Sequence, residues 1–226
     1  MNKPLSDLLV LELSGEFATR YCGKLFAEQG ARVLQAYQPD DRHIGYGGQS
    51  SLALASWLDS SKQRVDETDV EPDLVIAGQY PSDIATAQSF VERCRKPPVL
   101  LALTWFGQTG PYAPWRGSDS IIQAMTGVAH AFGPVQGPPV VPQGHAPQTV
   151  AGATGFIAAM ACLLARTTGG SELRVDVNVF ESHMCLSEHS GPGFEASGVA
   201  SARRGVNRFF PVYPQTIFRA SDGWKI

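Results

Sequence analysis

The residues able to move protons or hold anions are sparse in the middle of this chain, and their spacing bounds its chemistry. No acidic residue occurs between Asp119 and Glu172. Within that stretch His145 stands three positions ahead of Gln148, at the entry to an apolar run. An imidazole can serve as a general base near neutral pH, but a histidine directly after Gly144 is expected to be an ordinary loop residue. Gln148 carries a neutral amide, which donates and accepts hydrogen bonds and is no nucleophile. Asp119 follows Ser118. It is expected to stabilise the start of its own helix through the dipole, worth about 0.3–1 kcal/mol, rather than to act as a displaced catalytic acid. Asp176 alternates with Val175 and Val177, so it faces away from the valines and should make a structural hydrogen bond. Glu181 opens a helix as a cap or ion-pair residue. The loop Gly107-Gln108-Thr109-Gly110 follows an apolar strand, where backbone N–H groups can cradle a phosphate.

Metal and thiol chemistry find little support. Cys22, Cys94, Cys162 and Cys185 are scattered, with no CxxC pair. They are expected to be reduced thiols of a cytoplasmic protein. His183 and His189 have no partner at metal-ligand spacing, and are expected at the surface or in packing. Trp57 and Trp115 are expected to pack rather than to serve as stacking platforms.

Alternating strand and helix signals must position these groups. Leu8 to Leu13 is an apolar strand, Glu16 to Glu28 a helix stopped by Gly30, and Ala31 to Ala36 a second strand. This βαβ order implies a parallel sheet with a right-handed crossover. After a loop over Pro39 to Gly48, Asp73 to Ala77 is a third strand. A helix capped by Ser82 runs to about Arg95, and Val99 to Thr104 is a central strand. Asp119 to Phe132 and Thr149 to Arg166 are helices, the latter buried. Leu173 to Val179 alternates strictly and is a strand. The fold class is α/β, a Rossmann-like open parallel sheet. Residues 1–190 form this large domain. Beyond Ser190 periodicity fades into a linker, 191–226, whose Asp222-Gly223-Trp224 begins a new strand. A stop so close to a turn suggests a truncated chain or a split gene product.

The bulk numbers agree with a globular domain. The chain has 226 residues, a net charge of −3 and a pI near 5.9, with 43% hydrophobic and 17% charged residues. Without a Lys/Arg-rich run, nucleic acid is a poor partner. No targeting segment is visible. The apolar stretch from Ala151 to Ala165 is expected to be too short to cross a bilayer.

Several segments, in order, resemble the class III CoA-transferases, the family of carnitine CoA-transferase, bile-acid-inducible protein F, formyl-CoA transferase and α-methylacyl-CoA racemase. Leu103-Thr104-Trp105-Phe106-Gly107-Gln108-Thr109-Gly110-Pro111-Tyr112 is similar to that family's strand and G-Q-x-G-P-Y loop. Gly117-Ser118-Asp119 with Gln123-Ala124-Met125-Thr126-Gly127 is a second match. Val175-Asp176-Val177-Asn178 is like its V-D-V-S strand, and Arg204-Gly205-Val206-Asn207 like its linker. Val10-Leu11-Glu12-Leu13, Cys22-Gly23-Lys24-Leu25-Phe26-Ala27-Glu28-Gln29-Gly30 and Leu58-Asp59-Ser60-Ser61-Lys62 fit its first βαβ unit and the L-N-x-x-K segment beyond.

The resemblance implies a large domain without the small domain that completes the fold. It also implies coenzyme A or an acyl-CoA as substrate with no covalently bound cofactor, a small carboxylic acid as second substrate, and an interlocked homodimer or a heterodimer with a homologous subunit. It places Phe17, Ala18, Lys62, Gly107 and Gln108 at the CoA, and offers Arg20, Arg42 and Lys62 as charge for its phosphates. In the family an aspartate in a pattern like A-D-x-x-A-G carries the acyl group. Pro147-Gln148-Thr149-Val150-Ala151-Gly152 puts Gln148 at that position, so the ordinary exchange cannot run there. The racemase variant's histidine is replaced by Ser118. The implied function is transfer of CoA between an acyl-CoA and a carboxylic acid, doubtful for this chain alone. The alternatives are a non-catalytic CoA-binding partner subunit, a racemase or isomerase relative, and a fragment without a folded life of its own.

Overall fold

The computed structural model describes residues 3–37, 45–46, 49–66, 69–170, 174–187, 190–200, 202–203 and 220–223. Arg42, His189, the 204–219 segment and the strand expected at Trp224 lie outside the described residues. In chain order the elements are β1 Leu9–Glu12, α1 Phe17–Glu28, β2 Arg32–Gln35, β3 Gly45–Tyr46, β4 Gln49–Ser50, α2 Leu52–Asp59, β5 Gln63–Arg64, β6 Leu74–Gln79, α3 Pro81–Val91, β7 Val99–Thr104, α4 Asp119–Met125, α5 Val128–Ala131, α6 Ala146–Thr167, β8 Arg174–Asn178, α7 Val179–Met184 and α8 Ser190–Ser197.

Six strands form one sheet in the order β5-β2-β1-β6-β7-β8. Every pair in it is parallel, as the βαβ alternation requires. The two longest central strands are apolar runs buried along their whole length, which is what a sheet covered on both faces selects. On one face Val10, Val33, Ile76, Leu101 and Leu103 pack with α1 and α6 residues such as Phe26, Ala151 and Ala159. On the other Leu11, Leu34, Val75 and Leu100 pack under α3 through Ile84, Ala87 and Phe90. The chain leaves β1 toward β2 on one side and returns as β6 on the other. The order therefore reverses at β1, and the crevice beyond the carboxyl ends of β1 and β6 is the place such sheets offer to a ligand.

Several elements differ from the expectation. The helix expected over Asp119 to Phe132 is two, broken at Gly127, whose φ of +79° no helix can continue. The helix α3 begins at Pro81 with Tyr80 at its N-cap, and proline is suited to that first position. Ser82 does not cap it, bonding the Asp83 carboxylate instead. The expected linker after Ser190 opens with α8.

The long helix α6 has 22 residues, Ala146 to Thr167, and is long and apolar enough to cross a membrane by length and composition alone. The expectation that its apolar stretch was too short rested on a narrower span. It is not buried all round either: Pro147, Gln148, Ala151, Gly152, Gly155 and Ala159 face inward, while Ile157 and Leu164 are exposed. Its small residues bring it against the sheet and α1. A Cβ on Gly152 would stand 2.8 Å from the Ala18 carbonyl oxygen, and one on Gly155 would stand 3.1 Å from the Leu103 side chain.

Candidate active site

Five elements start or end at the crevice: β1 runs through Ser14 and Glu16 into α1, β6 ends at Gln79, α4 starts at Asp119, and α6 starts at Ala146. The Ser14 hydroxyl accepts from Gly78 N at 3.0 Å and ties the two strand ends together.

At the mouth of α6 the structure assembles Asp119, His145, Gln148, Gln79 and Phe17. Ser118 caps α4 by accepting from Ile121 N, which leaves the Asp119 carboxylate to reach across to α6. Its Oδ2 lies 2.9 Å from His145 Nδ1 and accepts from Gln148 Nε2 at 2.8 Å. Its Oδ1 accepts a longer bond, 3.4 Å, from Gln148 N, one of the first-turn amides that a helix leaves unsatisfied. Asp119 thus serves the N-terminus of α6, a role beyond the one expected in its own helix. The side chains of His145 and Asp119 are 9% and 16% exposed, and the His145 ring stacks on Phe17 at 4.3 Å. His145 is the N-cap residue of α6, so it is not an isolated loop histidine.

Gln148 is buried, with both ends of its amide engaged. Nε2 donates to Asp119, and Oε1 accepts from Gln79 Nε2 at 2.9 Å. Gln79 also lines a cleft of about 520 Å³ with Ile84, Thr104, Gly107, Gln108 and Arg174, a volume in the range of small-molecule sites. The family resemblance sets Gly78-Gln79 at a CoA-contact position that departs from the family's pattern, but the bond from Gln79 to Gln148 was not foreseen. The signal for that bond was the position of Gln79 at the carboxyl end of a central strand. The pairing of Asp119 with His145 was missed as well, because it joins residues 26 positions apart on two helix starts.

The other expected site residues are placed differently. Phe17 and Ala18 open α1 and are buried, Phe17 beneath His145. The Lys62 side chain is fully buried, 2.7 Å from Glu12 Oε1, and donates to the Arg20 carbonyl oxygen at 2.6 Å. Arg20 is itself fully buried and holds Asp59 through Nε and Nη2 at 3.0 and 2.7 Å. Both cations are held by carboxylates, Lys62 by the buried Glu12 and Arg20 by the partly exposed Asp59, and these ion pairs compete with the role expected of them at CoA phosphates. Burial nevertheless pushes the Glu12 carboxyl up, against the pull of the Lys62 ammonium. The Gly107 loop is not an open phosphate cradle either. Gly107 N donates to Thr104 Oγ1, and Gln108 N donates to Asp176 Oδ2. Asp176 makes the structural bond expected of it, and its charge opposes an anion there.

His183 is buried and its Nδ1 lies 3.0 Å from the Thr126 hydroxyl; burial lowers its pKa. Asn178, not Glu181, caps α7 with its side chain. Trp57 stacks with Tyr21, and Trp115 packs with Tyr112 and Phe106. Among the described residues no group of three metal-ligating side chains occurs.

The family model described as CoA-transferase family III matches residues 85–226. Over 97% of this chain, an acetyl-CoA:oxalate CoA-transferase of Acetobacter aceti is 29% identical, the match covering 61% of that relative. A succinyl-CoA:glutarate CoA-transferase of Mus musculus is 26% identical over 99% of this chain and 56% of its own length. A succinyl-CoA–L-malate CoA-transferase alpha subunit of Chloroflexus aurantiacus is 24% identical over 97% and 56%. The chain thus spans only 56–61% of these relatives. Among solved structures, a CAIB/BAIF family protein from Brucella suis superposes with a TM-score of 0.81 at 24% identity, covering 99% of this chain and 65% of that one.

Proposed function

As the chain belongs to CoA-transferase family III, we propose that it binds an acyl-CoA thioester at the crevice between β1 and β6, and that it does so without using residue 148 as an acyl carrier. The observation that carries this reading is the closed amide clasp: Gln148 is buried, and its oxygen and nitrogen are committed to Gln79 and Asp119. An amide has neither the charge nor the lone-pair basicity that attack on a thioester needs. The cleft beside Gln79, with Pro81, Ile84, Ala85 and Pro114 on its walls, suits an apolar acyl or pantetheine arm. The matching relatives transfer CoA to oxalate, glutarate or malate by name, so a small carboxylic acid is the second substrate proposed for the whole protein, with a reducing, cytoplasmic setting in keeping with its unpaired cysteines.

A second reading is a CoA-binding subunit that completes its chemistry with a homologous partner. It is favoured by the same clasp and by the relative whose name is that of an alpha subunit. Titration calorimetry with CoA tests binding, and mass spectrometry after incubation with acyl-CoA and hydroxylamine tests the carrier. The expected result is binding with no hydroxamate on residue 148. A chain that ignores CoA, or a hydroxamate on Gln148, ends this reading.

A further inference from the structure

We propose that Arg116 determines the acyl specificity of this chain, and that it selects acyl groups ending in a carboxylate. The inference deepens the acyl-CoA-binding reading above and rests on it. Beside the cleft already described lies a second of about 520 Å³, with Tyr80, Ser82, Trp115 and Arg116 on its walls. Gln79, Pro81 and Pro114 line both, so the two adjoin. The first offers apolar walls through Ile84, Ala85 and Ala113, and the second offers a cation. Gln79, which bonds Gln148 at 2.9 Å, stands where the two meet.

The backbone beside Arg116 is held in place. Gly117 follows it, and a Cβ there would stand 2.4 Å from the ring of the buried Trp105. Only a residue without a side chain lets the loop sit so close to that indole. The Arg116 guanidinium lies over the Tyr80 ring, 5.6 Å from its centroid. Such a cation–π contact draws on charge and leaves the N–H donors unspent. The planar fork of those donors matches a carboxylate. Among the described residues no carboxylate is paired with Arg116.

The charges nearby decide which anion fits. Burial pushes the pKa of the Tyr80 hydroxyl up; the Glu16 charge adds to this, Arg116 opposes it, and Asp83 adds to it again. Two acids and one cation therefore act on the same aromatic ring. That balance suits one added negative charge and disfavours the several carried by the CoA phosphates. The single charge belongs to the other end of the ligand. With the pantetheine arm in the apolar cleft and the thioester at Gln79, the acyl chain enters the second cleft, and a carboxylate at its far end meets Arg116.

The test is titration calorimetry of the full chain with two stable thioethers, S-carboxypropyl-CoA and S-butyl-CoA. They differ only by a carboxylate in place of the terminal methyl. The wild type is expected to bind the first about tenfold more tightly, the worth of one charge-assisted pair. The ratio should shrink as salt is raised, because Arg116 is exposed. Arg116→Met, which keeps much of the aliphatic stem, is expected to remove the preference, and Arg116→Lys to keep part of it. A thermal melt accompanies each variant, and Arg116→Gln replaces the methionine variant should that one lose cooperativity. Two results overturn the proposal. One is a wild type that binds both analogues equally. The other is a ratio that survives in Arg116→Met, including through an equal loss of both affinities, which would give Arg116 to the CoA phosphates. A wild type that binds neither analogue nor CoA itself overturns the binding reading, and this one with it.

Discussion

Gln148 and Asp119 divide a task between them at the mouth of α6. One is uncharged and buried, the other charged and partly open, and they are hydrogen-bonded at 2.8 Å. Gln148→Asp would set two carboxylates against each other, and such pairs resist joint ionisation. It would also leave Gln79 Nε2 without its acceptor. The expected result is a loss of about 1–3 kcal/mol in urea unfolding, together with a hydroxamate on residue 148 when acyl-CoA and hydroxylamine are present. An unchanged unfolding midpoint would show that the clasp holds nothing. Lys62 presents the opposite case, a cation absorbed by the core. Lys62→Met strands the Glu12 carboxylate and is expected to cost about 3–5 kcal/mol. CoA affinity, measured well below the melting temperature, should be unaltered. Normal stability with weakened CoA binding would return Lys62 to the phosphates.

The helix α6 is the element on which the site is built. Its first turn receives Asp119, and its next turn lies on α1 through Gly152, where a side chain has no room beside the Ala18 carbonyl. Gly152→Val drives α6 away from α1, and overpacking of this kind typically costs about 1–3 kcal/mol. Thermal melting should show a lowered Tm. Because Phe17 lies on the same stretch of α1 as Ala18, the variant should also lose CoA affinity in calorimetry out of proportion to its stability. A variant with native Tm and native CoA affinity would mean that the close approach of α1 and α6 has no bearing on the site.

For the molecule as a whole, His183 ties α7 to the end of α4 through Thr126. Its pKa is lowered by burial, the nearby Asp119 charge only partly opposing this. Below the unfolded value of about 6.5 the unfolded chain binds a proton that the folded chain resists. Stability from this group is therefore present above that value and is lost as pH falls toward the lowered folded one. Chemical unfolding across this window should show a midpoint that declines with acid, and His183→Gln should flatten the decline. A wild-type midpoint that holds or rises on acidification contradicts the assignment.

Much of the fold was legible because its signals are local. Val99 to Thr104 is a run of residues that suit a strand buried on both faces, and the Phe17 to Glu28 helix ends where Gly30 takes a φ of +101°. Alternation of such elements dictates parallel pairing whatever surrounds them. Helix ends were harder: Gly127 breaks a periodic stretch, and Pro81 displaces the start that Ser82 suggested, since competing local preferences differ by less than tertiary packing supplies. Gln148's inability to act as a carboxylate follows from its chemistry alone. By contrast, the pairing of Lys62 with the buried Glu12 and of Arg20 with Asp59, and the meeting of Asp119 with His145, depend on which strand ends and helix starts lie side by side. A charge's partner is set by distances of a few ångströms between segments far apart in the chain, and those distances exist only after the sheet has ordered its strands and α6 has settled onto α1.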